Sequence, residues 1–260
     1  MAALAVVAAR NEAPFLTVLL PLLIKDGFDI VVLNHSSRDA TREVAESLLG
    51  NGVLEVIALP WQGSFDLKQI LSVKATVYER YPHEWLAHFD ADEWPRATQD
   101  VPLVSLLAEV RAGGFQSVNF DEFVFVPRPG TDALGMDFRR VITDYYFFEP
   151  RPARLQRIWH RDAGRSNMAA AGHIAPVDPS RVWPQSQSLR HYVGLSQSAA
   201  YLKRANREYP DEALARGWHS NRLRVSSAPV GHFPGMRRCS PWDARELDRS
   251  EPVRRHYWEP

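Results

Sequence analysis

The segment His88-Phe89-Asp90-Ala91-Asp92-Glu93-Trp94 places two carboxylates one residue apart, directly after the apolar run 85–87. Side chains alternate along a strand, so an Asp-x-Asp at the end of a strand points both carboxylates to the same side. Hard divalent cations take oxygen ligands, and Mg²⁺ in particular shares its coordination shell with substrate phosphates. The segment therefore predicts a metal–diphosphate clamp at the carboxyl end of a strand. The alternative is a solvated acidic turn after a buried strand.

The residues before this segment alternate between apolar runs and amphipathic stretches, which indicates βαβ units and an α/β fold. Continuous apolar runs predict buried parallel strands, and these runs cover 4–9, 29–33, 53–58 and 85–89. Helical spacing predicts helices over 13–25, from the end of loop 34–39 to 49, and over 67–81.

Three of the predicted strands end in polar clusters, at 10–12, 34–39 and 90–93. Ligands of open α/β sheets bind outside the carboxyl ends of the strands. Because three polar strand ends would meet at one edge of the sheet, their convergence favours a binding site over an accidental acidic turn.

The second half of the chain is less regular. The pattern predicts a helix over 101–111, a strand over 116–126, a strand or hairpin over 137–148 and a helix over 196–207. The last ~25 residues carry little periodicity and are predicted to form an irregular tail.

Composition limits the class of protein. The 260 residues suffice for one substantial core, and 45% hydrophobic with 24% charged residues is ordinary for a globular protein. A net charge of +0 gives no reason to expect nucleic acid or an anionic membrane as partner. The single cysteine, Cys239, excludes an internal disulfide framework and fits a cytoplasmic location. The apolar stretch 15–24 contains Pro21 and is too short to span a bilayer, so no transmembrane segment is predicted.

Three segments together resemble glycosyltransferase family 2-like proteins: 9–12 (Ala-Arg-Asn-Glu), 34–41 (Asn-His-Ser-Ser-Arg-Asp-Ala-Thr) and 89–94 (Phe-Asp-Ala-Asp-Glu-Trp). A weaker similarity covers 190–192 (Arg-His-Tyr), followed by Ser196 and Lys203. The resemblance implies the GT-A nucleotide-diphospho-sugar transferase fold, with a mainly parallel central sheet flanked by helices and a less regular C-terminal part. It also implies one structural domain, with a donor-binding half over 1–95 and an acceptor-side half over 96–260.

The same resemblance assigns roles to individual residues. Donor binding would fall to Arg10, Asn11, Glu12, Asn34 and Asp90. The metal, Mn²⁺ or Mg²⁺, would be bound by Asp90 and Asp92, with a late histidine, His191, completing the site.

The loop after the second strand departs from the family pattern, because Asn34, His35 and Ser36 replace the usual Asp-Asp-Gly. The departure leaves the identity of the nucleotide open. Asp39 is expected to cap the second helix rather than to contact ligand.

The acceptor hydroxyl of an inverting transferase needs a general base, and Asp121 and Glu122 are the candidates for this catalytic role. Alternation along a strand allows only one of the two to point inward. His173 and His232 compete with His191 for the late histidine position.

The predicted function is a metal-dependent, inverting glycosyltransferase that moves a sugar from a nucleotide-diphosphate donor to a glycan or other hydroxyl acceptor. Two alternatives stay open at this point. One is a metal-dependent phosphoesterase that uses the two aspartates and the three late histidines, and the other is a non-catalytic nucleotide-sugar-binding protein on the same fold.

Overall fold

The computed structural model describes residues 3–99, 101–149, 154–218, 233–240 and 247–259. The strands are β1 (Ala3–Ala9), β2 (Phe28–Asn34), β3 (Val53–Ala58), β4 (Trp85–Asp90), β5 (Glu93–Arg96), β6 (Ser117–Val118), β7 (Phe120–Phe125), β8 (Asp144–Phe148), β9 (Ile158–His160), β10 (Gln187–Tyr192) and β11 (Arg237–Arg238). The helices are α1 (Ala13–Lys25), α2 (Thr41–Glu46), α3 (Leu67–Arg80), α4 (Leu103–Ala112), α5 (Phe138–Val141), α6 (Gln197–Ala205) and α7 (Asp211–Ala215).

The strands form two sheets. In the first, of order β3-β2-β1-β4-β9-β6, the four strands of the predicted βαβ region are parallel, and β9 and β6 extend them in antiparallel pairings. The second sheet, of order β11-β8-β7-β10-β5, contains one parallel pairing, β7 with β10. The α/β class is therefore confirmed, but the sheets are mixed, and the prediction of a mainly parallel sheet holds only for β1 to β4.

The core explains why β1 reads as an uninterrupted apolar run. Its odd-numbered residues, such as Ala5 and Val7, pack into one cluster with α1 and α4. Leu4 and Val6 face the opposite side and pack with Ile70 and other residues of α3. A strand covered on both faces has no solvent side, so its sequence does not alternate with polar residues.

The structure differs from the sequence prediction in the second half. The predicted strand 116–126 is split, because β6 pairs with β9 in the first sheet and β7 pairs with β8 and β10 in the second. Asn119 lies between the two halves, where its side chain accepts a hydrogen bond from Leu155 N at 2.9 Å and donates one to Ser186 Oγ at 2.9 Å. These side-chain bonds replace the backbone hydrogen bonds between strands at the point where the chain passes from the first sheet to the second.

Three further boundaries also differ. The segment predicted as strand or hairpin over 137–148 is the short helix α5 followed by β8, because the Asp137 side chain accepts from Arg139 N and caps a helical turn. Helix α2 ends at Glu46 rather than 49. The acidic turn after β4 continues directly into β5, which pairs with β10.

The C-terminal tail is irregular, as predicted, in that its described residues 247–259 form no helix or strand, but it packs against the rest of the fold. Trp258 is buried in a cluster with Val124 and Tyr146. Val253 N donates to Phe147 O at 2.9 Å, and its carbonyl accepts from Glu149 N at 2.7 Å. Aromatic packing and single backbone bonds anchor this segment, and neither leaves a periodic signal in the sequence.

None of the helices in the described part of the chain combines the length and the apolar character of a membrane span.

Gly194 sets the approach of β10 to α6, because a Cβ at this position would lie 2.7 Å from the backbone N and Cα of Ala200. We expect Gly194→Ala to lower the free energy of unfolding by about 2 kcal/mol or more, since backbone atoms cannot yield to the added methyl group. Urea unfolding checks this. Gly63→Ala is the control, because Gly63 has φ +90° in open space, so that variant carries only the backbone cost of about 1 kcal/mol. Equal losses in the two variants would contradict the close approach.

Asp26 follows α1, and its backbone carbonyl accepts a hydrogen bond from Val104 N of α4 at 3.2 Å. Burial raises the pKa of Asp26 to about 6. A carboxyl group with a raised folded-state pKa stabilises the fold below its unfolded-state pKa, and this contribution is lost as the pH rises through about 6. We expect the free energy of unfolding of Asp26→Asn to exceed that of the wild type by about 1 kcal/mol at about pH 8 and to equal it near about pH 4. Urea unfolding at the two pH values measures this. A difference that does not change with pH would exclude the titration of Asp26 as its cause.

Candidate active site

A cavity of about 390 Å³ opens at the carboxyl ends of β1, β2 and β4. It is lined by most of the residues predicted to be functional: Arg10, Glu12, Asp90, Asp92, Glu122, His173 and His191. The carboxyl ends of the strands therefore meet at one site, as their polar clusters predict. Asn11, Asn34 and Asp121 do not line the cavity, and His232 lies outside the described residues.

The two asparagines stabilise the loop after β2 instead. Asn11 adopts a positive φ of 56°, and its Oδ1 accepts a hydrogen bond from Arg38 N at 2.8 Å. Asn34 Oδ1 accepts one from Ser37 N at 3.1 Å. Short amide side chains commonly satisfy nearby backbone N–H groups in this way, and here that turns both residues away from a donor-binding position.

Asp39 lies at the start of two helices. Its carboxylate accepts hydrogen bonds from the backbone N–H of Thr41, the first residue of α2, at 3.0 Å and of Ala13, the first residue of α1, at 3.2 Å. It is not among the residues that line the cavity.

The two aspartates of the acidic segment face the same cavity but differ in environment. The Asp90 side chain is 53% exposed, and the Asp92 side chain is 10% exposed. Glu93 begins β5 and is buried against Arg157, which it meets in an ion pair. Burial raises the pKa of Glu93 to about 7 in spite of that guanidinium. Arg157 precedes β9 and thus ties the acidic segment to the strand beside β4.

Asp92 has a basic partner from α6. Lys203 Nζ donates to Asp92 Oδ2 at 2.8 Å and lies 2.5 Å from Glu12 Oε1. Burial alone would raise the pKa of Asp92, but the charges of Lys203 and His191 lower it, so the group is ionised. The ammonium is only partly covered, with 24% of its side chain exposed.

His191 connects Asp92 to Glu122. Its Nδ1 donates to Glu122 Oε1 at 2.8 Å, and its Nε2 lies 3.6 Å from Asp92 Oδ2. The two carboxylates overcome the effect of burial and raise the pKa of His191 to about 9. The imidazole is therefore a cation at neutral pH, and both of its nitrogens carry protons.

Alternation along β7 sends Asp121 and Glu122 to opposite faces. Asp121 accepts a hydrogen bond from Arg249 Nε at 2.9 Å and lies outside the cavity, whereas Glu122 lines it. Glu122 also accepts a hydrogen bond from Arg154 Nη1 at 2.6 Å. Burial would raise the pKa of Glu122, but Arg154 and His191 bring it well below its usual range. Of the two base candidates, only Glu122 is positioned to meet a ligand.

His173 also lines the cavity. Burial, together with the charge of Arg157, lowers the pKa of His173 to about 4, so this imidazole is neutral at pH 7.

Several residues of the cavity were not predicted from the sequence. Lys74 on α3 does not line the cavity, but it is buried near Asp90, and its Nζ has no hydrogen-bond acceptor among the described residues. Arg204, Arg207 and Trp218 come from the region after β10, and Phe148, His256 and Trp258 form an aromatic stack with ring spacings of 3.7 and 4.1 Å. The aromatic residues at 256–258 are the one signal in the sequence that could have indicated the C-terminal contribution.

The donor set does not fit a divalent cation. The Asp92 oxygen that would bind one already accepts a hydrogen bond from Lys203, and the predicted third ligand, His191, is bound through its Nδ1 to Glu122. Among the described residues, no three His, Cys, Asp or Glu side chains are grouped closely enough to coordinate a metal. The same arrangement offers no ligand set for the phosphoesterase alternative, and the predicted Mn²⁺ or Mg²⁺ stays a prediction.

No family model and no curated protein sequence matches the chain. Among solved structures, it is similar to S. aureus TarS, with 11% identity, a TM-score of 0.43, and coverage of 82% of this chain and 41% of that chain. A TarS fragment in complex with UDP gives 12% identity, a TM-score of 0.41 and coverage of 82% and 68%. The fragment in complex with UDP-GlcNAc gives 11% identity, a TM-score of 0.41, and coverage of 74% of this chain and 58% of that chain. The chain thus spans about two fifths of the first of these structures.

The buried Glu93–Arg157 pair is expected to be essential for stability. Arg157→Met leaves the Glu93 carboxylate buried without its partner, and we expect a loss of about 3–5 kcal/mol in urea unfolding. The double variant with Glu93→Leu should recover part of that loss, because two apolar side chains of similar size need no ion pair.

The exposed pair Lys68–Glu212 supplies the control, with side chains 48% and 57% exposed. Lys68→Ala should change the free energy of unfolding by less than about 1 kcal/mol. A similar small effect for Arg157→Met would show that the pair is solvated rather than buried.

Proposed function

We propose that the protein is a glycosyltransferase that moves a sugar from a nucleotide-diphosphate donor to a hydroxyl acceptor. The observation that carries the proposal is the charge of the cavity. Six Arg or Lys side chains and five carboxyl groups line its described part, and His191 adds a further positive charge. A chain of net charge +0 thus concentrates positive charge at the carboxyl ends of its parallel strands, where a diphosphate is attracted.

One end of the cavity suits a nucleobase. His35 lines it and packs against Trp61, with 5.1 Å between ring centroids. Arg10 lies 3.7 Å above the Trp61 ring and donates to His35 O at 2.7 Å, and Arg207 lies 4.4 Å above Phe65. Guanidinium planes already stacked on aromatic rings can extend that stack to a base or bind a phosphate in fork geometry.

A second aromatic group in the lining of the cavity suits a sugar acceptor. The stacked rings of Phe148, His256 and Trp258 present aromatic surface, and Arg204 lies 3.9 Å above the Trp258 ring. Glu122 lies in the cavity with the aspartates on one side and this stack on the other. We assign Glu122, rather than Asp121, the role of general base.

The proposed reaction is a single displacement, and it therefore inverts the sugar. The acceptor oxygen forms a bond to the anomeric carbon as the bond from that carbon to the diphosphate oxygen breaks. The electron pair leaves with the nucleoside diphosphate, and the acceptor proton passes to Glu122. Contact of Arg154 with the diphosphate would weaken its ion pair with Glu122 and so raise the basicity of that carboxylate once the donor is bound.

The assignment of the base predicts a difference between neighbouring residues. Glu122→Gln should lower the rate of nucleoside diphosphate release from a panel of nucleotide sugars by about 10²–10⁴-fold, because the amide cannot accept the proton. Asp121→Asn is the matched control, since Asp121 lies outside the cavity, and it should stay within about threefold of the wild-type rate.

Donor affinity, measured by calorimetry, should change little in Glu122→Gln. An equal loss of rate in both variants would contradict the assignment. Donor binding without any release of nucleoside diphosphate by the wild type would favour the non-catalytic alternative. The cytoplasmic location and the division into a donor half and an acceptor half at residue 95 remain predictions.

A further inference from the structure

The geometry points to Lys203 as the cation that a glycosyltransferase of the proposed kind would otherwise take from solution. Its ammonium, bound by Asp92 and Glu12, would receive the donor diphosphate directly, so donor binding would need no divalent metal. This inference rests on the proposed function.

The contacts of Lys203 are those of a bound cation. The ammonium lies between two carboxylates from different strand ends, at 2.8 Å from Asp92 Oδ2 and 2.5 Å from Glu12 Oε1. An ammonium group has three protons, and these two contacts use two of them. Lys203 lines the cavity and 24% of its side chain is exposed, so we assign the third proton to a phosphate oxygen of the donor.

The surrounding charges leave little attraction for a divalent ion. Asp92 also faces His191 at 3.6 Å, and Asp90 lies 3.8 Å from Arg157. The buried ammonium of Lys74 lies close enough to Asp90 to interact with it electrostatically. Each carboxylate that could bind a metal therefore already has a cationic partner from the protein, and a divalent ion would have to displace Lys203 or be repelled by it.

The position of Lys203 is built into the fold. Helix α6 starts at the Ser196 cap, whose side chain accepts from Ala199 N at 3.1 Å, and packs against Gly194 at a distance that admits no Cβ. Lys203 lies two turns into that helix, and its Nζ lies 5.5 Å from the Phe15 ring centroid. The ammonium is thus held by rigid elements on both sides.

The test is calorimetric titration of the full chain with uridine, guanosine, adenosine and cytidine diphosphates, once in EDTA and once with Mn²⁺. We expect one nucleotide to bind with the same dissociation constant, within about twofold, under both conditions. Lys203→Met should weaken that binding by about 10–100-fold, because a charge-assisted contact is lost, and Lys203→Arg should restore most of it. Lys68→Met, at an exposed lysine outside the cavity, should bind like the wild type.

The two ways of failing are distinct. Binding of a nucleoside diphosphate that requires Mn²⁺ would overturn the role of Lys203 and keep the proposed function, and so would Lys203→Met binding at least as tightly as the wild type. No binding of any nucleoside diphosphate under either condition would overturn both. Because the comparison of EDTA with Mn²⁺ needs only the wild-type chain, the inference can be refuted even if Lys203→Met does not fold.

A direct titration of Mn²⁺ into wild type and Lys203→Met, without nucleotide, adds a second readout. The wild type should bind no Mn²⁺, whereas removal of the ammonium should create a weak site at Asp92 and Glu12. Mn²⁺ binding to the wild type at Asp92, abolished by Asp92→Asn, would overturn the inference.

Discussion

The structure depends on compensating the carboxylates that converge at the carboxyl ends of β1, β4 and β7. An ionised carboxylate without a partner is very costly to bury, so a cavity with five of them requires basic groups at matched positions. Glu93 has Arg157, Glu122 has Arg154 and His191, and Asp92 and Glu12 share Lys203. These partners come from the segment before β9, from β10 and from α6, so the charge pairing also joins the second half of the chain to the first.

The site lies on the seam between the two sheets. The chain leaves the first sheet after Asp90 and enters the second at Glu93, and it makes the same change between β6 and β7 at Asn119. Strand β10 lies between β5 and β7, which places His191 opposite Glu93 in one pairing and beside Glu122 across the other. His191, Glu93 and Glu122 therefore lie together because β5 and β7 both enter the second sheet next to β10.

The sequence was sufficient to predict strands β1 to β4 and the position of the two aspartates at a strand end. Burial on both faces produces continuous apolar runs, and the period of two along a strand relates the two aspartates. The sequence did not predict the contacts of Asn11 and Asn34, whose side chains bond to nearby backbone N–H groups, a local alternative that composition does not reveal. Lys203 was noted only through a resemblance, since its partner Asp92 is 111 residues away. The packing of the C-terminal segment was not predicted, because the ring stacking of His256 and Trp258 follows no period in the sequence.

The pairing of carboxylates with cations also shapes how an anionic ligand would be received. Arg154 and Lys203 each satisfy a carboxylate in the free protein, yet both line the cavity and present donors that suit phosphate. A diphosphate would compete with Glu122 and Asp92 for these groups rather than meet unpaired charges. Such competition weakens binding relative to a site of free cations, but it leaves the carboxylates less neutralised once the ligand is present. The free protein thus stays stable with its charges paired, and the bound state gains a more basic Glu122.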